Sequence, residues 1–187
     1  MSAKVIARLD FSGGRVLEAV EGDLLRQPVD AIVNAANGAL AHGGGVAAAI
    51  ANAAGDALLD EDNRLLAERG HVATGDAVVS VAGKLPFQGI IHAVGPVQGQ
   101  GAEEGKLFSA LLAAFRLADE RGWKSLAFPA VSSGIFGVPV DVCARAYLLA
   151  VREFWAERAD SSLTLIRLCL FPGPIVEAVR SEMRRSE

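Results

Sequence analysis

Apolar residues along the chain follow two alternating patterns, one typical of strands and one typical of helices. Short apolar runs predict strands at residues 4–9, 16–20, 30–36, 77–81, 89–93, 125–129 and 163–171. Apolar positions three and four residues apart predict helices at residues 46–54, 58–69, 103–121, 140–155 and 175–185. Alternation of strands and helices indicates an α/β sandwich with a mixed, mostly buried sheet.

Length and charge narrow the class of protein. The chain has 187 residues, which predicts a single domain over residues 1–187, large enough to bury a core without a disulfide or metal. Eighteen basic and 22 acidic residues give a net charge of −4, which argues against nucleic acid as a partner. Cys143 and Cys169 lie in apolar segments and are predicted to be buried thiols.

The apolar pattern predicts neither a membrane span nor a signal peptide. No apolar run approaches the ~20 residues that a membrane span requires. The N-terminus also lacks the apolar stretch of a signal peptide. We therefore expect a cytoplasmic protein that does not bind a membrane.

Ligands of α/β folds bind beyond the carboxyl ends of the strands, so the loops after each strand matter most. The third strand ends at Asn34 and Asn37, and Gly43, Gly44 and Gly45 follow just before a helix. Consecutive glycines expose backbone N–H groups and a helix N-terminus to an anion such as phosphate. A flexible turn is the alternative, but the two asparagines favour a ligand-binding loop, because their amides can hold sugar hydroxyls.

A second loop of small residues lies between the strand at 125–129 and the next helix. It carries Ser132, Ser133, Gly134, Ile135 and Phe136. Two such loops suggest that two phosphates are held from opposite sides. The phenylalanine either packs against a sugar or base of the ligand or anchors the loop in the core.

Two further strand ends carry candidate contacts for a base. Asp23, followed by Leu24, could accept a hydrogen bond from an exocyclic amine or could cap the short turn that follows it. Phe171, at the end of the last strand, is either a stacking platform for a base or a core residue.

Several familiar chemistries are not supported. Gly43, Gly45 and Ala48 fit the dinucleotide pattern G-x-G-x-x-G/A, but a long loop separates them from the strand and the expected acidic residue is missing. The three histidines lack metal-ligand spacing, and His92 is predicted to be a core residue. No nucleophile motif and no pair of carboxylates stands out. We expect neither a metal nor a cofactor.

Taken together, these loops resemble the macro domain, the ADP-ribose-binding module. The matching segments are Gly-Asp at 22–23, Ile-Val-Asn-Ala-Ala-Asn at 32–37, His-Gly-Gly-Gly-Val at 42–46, His-Ala-Val-Gly-Pro at 92–96 and Phe-Pro-Ala-Val-Ser-Ser-Gly-Ile-Phe-Gly at 128–137. They occur in the order and spacing of the family and span nearly the whole chain. The resemblance implies a three-layer α/β/α sandwich around a mixed sheet of about six strands.

The resemblance also implies a role for each candidate residue. Asp23 would bind the adenine amine, and Phe171 would lie against the adenine ring. The glycine residues and Val46 would line the pyrophosphate and distal ribose, opposite the second loop. Asn37 would contact the distal ribose and take part in catalysis, while Asn34 would organise the loop.

One position departs from a hydrolytic branch of the family. That branch has an Asp directly after Gly-Gly-Gly-Val, whereas this chain has Ala47. The chain is more similar to branches with an apolar residue there, some of which hydrolyse ADP-ribosyl esters and some of which only bind. His42 could assist catalysis or be an ordinary polar loop residue.

We therefore expect a protein that binds ADP-ribose or an ADP-ribosylated protein. Its predicted activity is metal-independent hydrolysis of ADP-ribosyl esters, either on Asp and Glu side chains or in O-acetyl-ADP-ribose. The alternative is a reader that binds the same group without turnover. The acidic composition makes RNA a much weaker candidate partner.

Overall fold

The computed structural model describes residues 3–186 and contains seven strands and five α-helices in the predicted alternation. The strands are β1 (Lys4–Phe11), β2 (Arg15–Glu21), β3 (Ala31–Ala36), β4 (Ala77–Ser80), β5 (Gly89–Val94), β6 (Ser125–Pro129) and β7 (Leu165–Leu170). The helices are α1 (Gly45–Ala54), α2 (Asp56–Arg69), α3 (Glu103–Glu120), α4 (Val140–Glu157) and α5 (Pro174–Arg184). Every predicted element is present, and the boundaries differ by at most two residues.

The seven strands form one mixed sheet in the order β1-β2-β7-β6-β3-β5-β4. The five inner strands run parallel, and β1 and β4 pair antiparallel at the two edges. The apolar pattern predicted all seven strands, whereas the resemblance implied about six. Parallel strands at the centre place five carboxyl ends along one side of the molecule.

Alternate residues of the inner strands face opposite layers of helices. On β3, Ala31 and Val33 join the core beneath α3, α4 and α5, whereas Ile32 packs beneath α1 and α2. β6 repeats this pattern: Leu126 and Phe128 face one layer and Ala127 the other. Both faces of the sheet are therefore buried, which makes the fold a three-layer α/β/α sandwich.

Within residues 3–186, none of the helices combines the length and the apolar composition that a membrane crossing needs. Cys143 and Cys169 are both free and buried, as predicted. Burial raises the pKa of the Cys143 thiol to about 11 and that of Cys169 to about 12, so neither is a ready nucleophile near neutral pH.

Candidate functional site

A cleft of about 810 Å³ opens at the carboxyl ends of the parallel strands. Its wall includes Asp23 after β2, Asn37 after β3, Ala130 after β6 and Phe171 after β7. This volume lies within the range of small-molecule sites. The cleft therefore occupies the position at which α/β folds bind ligands.

The structure brings nearly all of the predicted ligand residues to this wall. They are Asp23, Leu24, Asn37, Gly43, Gly44, Gly45, Val46, Ser132, Ser133, Gly134, Ile135, Phe136 and Phe171. The exception is Asn34, which is fully buried inside β3. Its Nδ2 lies 2.9 Å from Nδ1 of His92, so it supports the loop from behind the wall.

The glycine segment, residues 43–46, lies on the wall of the cleft and has free backbone N–H groups. None of its four N–H groups has a protein acceptor within residues 3–186. The segment also forms the start of α1, which begins at Gly45. A helix N-terminus adds its dipole to these free donors, and together they form a typical anion-binding arrangement.

The second loop, residues 132–137, offers a similar set of donors. Hydrogen bonds from the N–H of Gly137 to Gly134 O (2.9 Å) and from that of Val138 to Ser132 O (3.0 Å) close the loop on itself. In the described part of the chain, the N–H groups of Gly134, Ile135 and Phe136 have no acceptor. Three donors in a row remain available to a ligand.

The two segments face each other across the cleft. A Cβ atom built on Gly44 or Gly45 would lie 3.5 Å from Cδ1 of Ile135. The Ile135 side chain is otherwise 81% exposed, so it projects over the glycine segment rather than into the core. Both sets of free N–H groups can therefore reach one ligand.

Ser132 sits in an unusual conformation at the base of the second loop. Its φ is +67°, a left-handed value that is rare outside glycine, and its buried Oγ has no partner among the described residues. A Cβ on Gly95 would lie 2.2 Å from this Oγ. Position 95 therefore needs glycine, because the end of β5 passes so close to the loop. This close packing explains why the fourth residue of the His-Ala-Val-Gly-Pro motif is glycine.

The electrostatics of the wall come from the backbone rather than from cationic side chains. Among the described residues that line the cleft there is no lysine, arginine or histidine, and Asp23 is the one carboxylate. The first residues of three helices, Gly45 of α1, Val140 of α4 and Pro174 of α5, do lie on the wall. An anion in this cleft would be held by N–H groups and helix dipoles.

Asp23 has the capping role that was one of its two predicted functions. Its Oδ1 accepts from the N–H of Leu25 at 2.9 Å, and its Oδ2 lies 3.6 Å from Nε of Arg26. The carboxylate is nevertheless exposed on the wall of the cleft. A carboxylate can accept several hydrogen bonds, so capping leaves it able to bind an amine.

Asn37 organises the loop that leads to the glycine segment. Its Oδ1 accepts from the N–H groups of Ala39 and Ala41, both at 3.1 Å, and its Nδ2 donates to Ala41 O at 2.9 Å. An amide oxygen has two lone pairs and an amide nitrogen two hydrogens. One Nδ2 hydrogen is therefore left for a ligand.

Two aromatic side chains, Phe171 and Phe136, lie on the wall of the cleft. Phe171 is 69% exposed and lies directly after β7, so the alternative that it belongs to the core is wrong. Phe136 is half-buried within the second loop. Both rings are available to pack against flat or apolar parts of a ligand.

A buried polar cluster that the sequence analysis missed lies behind the glycine segment. Asp62 of α2 is 3% exposed, and its Oδ2 lies 2.8 Å from Nε2 of His42. Its Oδ1 accepts from Oγ of Ser80 at 2.7 Å and lies 3.1 Å from Nε2 of His92. The sequence does hold a signal, because an acidic residue one turn after Leu58 falls on the apolar face of α2.

The surroundings of Asp62 favour its charged form. Burial alone raises the pKa of this carboxyl, but His92, Ser80 and His42 together lower it further than burial raises it. The net result is a pKa below the ordinary value for aspartate. His42 is not on the cleft wall, which argues against a direct part in catalysis.

Comparison with known proteins identifies the family. The Macro domain family profile matches residues 33–147, which is more than half of the chain. A protein named O-acetyl-ADP-ribose deacetylase from Enterobacter sp. (strain 638) is 45% identical over 140 residues, covering 74% of this chain and 78% of that protein. The chain therefore belongs to the macro domain family.

A longer relative and a solved structure agree with this assignment. An uncharacterized protein of Thermotoga maritima is 44% identical over 169 residues, which cover 89% of this chain but only 28% of that protein. A variant of the Oceanobacillus iheyensis macrodomain, solved with ADPR (ADP-ribose), superimposes with a TM-score of 0.87 at 28% identity. The match covers 96% of this chain and 98% of the other.

Proposed function

We propose that the chain binds ADP-ribose in the cleft at the carboxyl ends of the strands. The observation that carries this proposal is the pair of facing segments with free N–H groups, residues 43–46 and 134–136. A pyrophosphate is the part of ADP-ribose that needs such donors on two sides. The relative solved with ADPR supports the same ligand.

The rest of the wall fits the other parts of the molecule. Asp23 would accept from the adenine amine, and the exposed Phe171 ring would lie against the base. At the other end of the cleft, the free Nδ2 hydrogen of Asn37 would donate to a hydroxyl of the distal ribose. Phe136 would pack against that sugar. The adenine, the pyrophosphate and the distal ribose of ADP-ribose would then each have a chemically matching partner.

We also propose that the protein hydrolyses ADP-ribosyl esters, O-acetyl-ADP-ribose among them. Water would attack the ester, the ester C–O bond would break, and the products would be ADP-ribose and a carboxylic acid. Both lone pairs of Asn37 Oδ1 are already used by the loop. Asn37 would therefore orient the ribose as a donor, and the substrate's own phosphate could hold the water. The name of the Enterobacter relative supports this activity.

A reader without turnover is the second candidate, and one observation favours it. Ala47 lies on the wall at the start of α1, and no carboxylate of the described wall stands near it to activate water. The single carboxylate there, Asp23, belongs to the adenine end. Binding would then be the whole function, and the partner would be an ADP-ribosylated protein.

One experiment separates the two candidates. O-acetyl-ADP-ribose and a Glu-modified protein would each be incubated with the wild-type chain, and free ADP-ribose would be measured against the uncatalysed background. Release that falls in an Asn37→Ala variant supports the hydrolase. Binding of the modified protein with no release above background supports the reader.

Three broader features remain part of the proposal. We propose that residues 1–187 act as one macro domain and that the protein works in the cytoplasm. We also propose that its substrate is either ADP-ribosylated Asp or Glu of proteins or the small ester O-acetyl-ADP-ribose. Cell fractionation tests the location. Mass spectrometry of modified side chains before and after treatment tests the protein substrate.

A further inference from the structure

The carboxylate of Asp62 connects helix α2 to three other parts of the chain. It belongs to α2 and contacts His42 in the loop after β3, Ser80 at the end of β4 and His92 in β5. His92 is in turn linked to Asn34 of β3. A buried charge needs hydrogen-bond donors, and His42 and Ser80 supply them to Asp62. Nε2 of His92 lies 3.1 Å from the carboxylate but makes no hydrogen bond to any described residue.

The glycine segment depends on its two ends for its position. Gly43 to Gly45 have no side chains, and their N–H groups have no protein acceptor in the described residues. At one end the segment continues into α1. At the other end it begins directly after His42, whose ring is 8% exposed and bonded to Asp62. The Asp62–His42 contact is therefore a side-chain anchor directly before the segment, and the hydrogen bonds of Asn37 to Ala41 lie one residue further back.

We propose that Asp62 is a positioning residue for the pyrophosphate and distal-ribose half of the cleft, and that it acts through His42. The inference rests on the proposed ADP-ribose site. It assigns no contact between Asp62 and the ligand, because neither residue lies on the cleft wall. The adenine half of the cleft, around Asp23 and Phe171, is built from other elements and does not depend on this anchor.

A merely structural role for Asp62 makes a different prediction. Loss of a structural carboxylate would lower stability and leave the relative affinities for ligands unchanged. Loss of a positioning carboxylate lowers affinity only for ligands that reach the glycine segment. AMP and ADP-ribose provide this contrast, since AMP lacks the second phosphate and the distal ribose.

The chain offers a matched control for the substitution of Asp62. Asp30 accepts three hydrogen bonds, from Lys124 N (2.7 Å), Ser125 N (3.0 Å) and Gln88 Nε2 (2.9 Å). It lies just before β3, at the opposite end of the strand from the cleft. Asp30→Leu therefore removes a half-buried, hydrogen-bonded carboxylate without touching the site.

The variants to compare are Asp62→Leu, His42→Leu, His42→Gln, Asp30→Leu and the double variant with leucine at 42 and 62. ADP-ribose and AMP affinities would be measured by calorimetry on each folded protein. We expect Asp62→Leu and His42→Leu to weaken ADP-ribose binding at least tenfold and AMP binding less than twofold. His42→Gln, which keeps an N–H donor near the position of Nε2, should retain most of the affinity.

The double variant tests whether the two residues act as one unit. Coupled residues lose no more together than singly, whereas independent losses add. We therefore expect the double variant to match His42→Leu. Equal losses for AMP and ADP-ribose, an unchanged ADP-ribose affinity in His42→Leu, or the same pattern in Asp30→Leu would each overturn the inference.

A ligand-free measurement separates this inference from the proposed function. Amide hydrogen exchange should be followed at Ala41 and Ala48, whose N–H groups donate to Asn37 Oδ1 and to Gly44 O on either side of the glycine segment. Exchange of these two amides should be faster in Asp62→Leu and His42→Leu than in wild type, and unchanged in Asp30→Leu. If wild type binds no ADP-ribose, the proposed function fails. The exchange result would still show whether the Asp62–His42 contact anchors the glycine segment. Unchanged exchange in His42→Leu would rule out the anchor whatever the ligand is.

Discussion

The two segments that face each other across the cleft offer similar N–H donors but are held in different ways. The second loop is closed by its own backbone, and Oγ of Ser133 also donates to Ala130 O at 3.0 Å. Beneath it, the buried Tyr147 hydroxyl donates to Val131 O at 2.6 Å. The glycine segment, by contrast, is held by side chains outside itself, namely Asn37 and His42.

This difference has a consequence for where substitutions act. A loop held by its own backbone is sensitive to changes within it and in the core below. A segment held by distant side chains is sensitive to changes up to twenty residues away in sequence, as the bond between His42 and Asp62 shows. The two sides of the cleft therefore depend on different parts of the chain for their positions.

Substitution of a glycine in either segment is expected to have the largest effect. Gly44→Glu and Gly134→Glu should each weaken ADP-ribose binding by more than about 100-fold, which is roughly 2.7 kcal/mol, because a carboxylate would occupy the anion position. Neither glycine has a left-handed φ, and neither site would crowd a Cβ, so both variants should fold. Calorimetry and thermal melting measure the two properties.

Gly105→Glu provides the control for these variants. Gly105 is exposed on α3, has open space within 4 Å of the position that a Cβ would take, and lies away from the cleft wall. The affinity of this variant for ADP-ribose should equal that of wild type. If the two segment variants lose stability in parallel with affinity, their glycines serve the fold rather than the ligand.

Asn37→Ala should lower turnover by about 10- to 100-fold and lower ADP-ribose affinity by less. The reason is that the remaining Nδ2 hydrogen orients the ribose for attack, an interaction that matters most in the transition state. Single-turnover kinetics and calorimetry on the same protein give the two numbers. Equal losses in both would mean that Asn37 only shapes the loop.

Asp23→Ala should weaken ADP-ribose binding by about 1–3 kcal/mol, because it removes an acceptor for the adenine amine. AMP should lose affinity by the same factor, since this end of the cleft lies outside both anion-binding segments. Asp23→Asn keeps a capping oxygen and tests how much of the loss is due to charge. Unchanged affinity in Asp23→Ala would leave the residue with capping alone.

The smallest expected effect is the contribution of Asp62 to the free energy of unfolding, which acid should remove. The folded-state pKa of Asp62 lies below the ordinary value of about 3.9 that it regains on unfolding. The ionised group therefore stabilises the fold above that value, and the contribution is lost as the pH falls through the folded-state pKa. The difference in urea midpoint between wild type and Asp62→Asn should shrink from pH 5 to pH 3. A constant difference would contradict the assignment.

The fold could be predicted from the sequence because burial on both faces of the sheet leaves a direct trace in the apolar pattern. Every strand and helix follows from that periodicity, and the loops after β3 and β6 stand out by their small residues. The number of strands was underestimated only by the resemblance, which implied about six strands where the structure has seven.

The hydrogen bonds that hold the site residues in place were harder to predict. Asp62 comes from a helix that reads as an ordinary amphipathic segment, and its partners are 18 to 30 residues away in sequence. Asp23 and Asn37 were predicted, but their hydrogen bonds to Leu25 N and Ala41 N depend on turn geometry that residue types alone do not specify. Long-range polar contacts carry no periodicity, so only the folded chain reveals them.

Calorimetric titration of the wild-type chain with ADP-ribose tests the central claim most directly. Two facing rows of free N–H groups and an exposed aromatic ring predict one site of micromolar affinity, roughly −7 to −9 kcal/mol. AMP should bind the same site more weakly. No binding of ADP-ribose at millimolar concentration by folded wild-type protein would contradict the account.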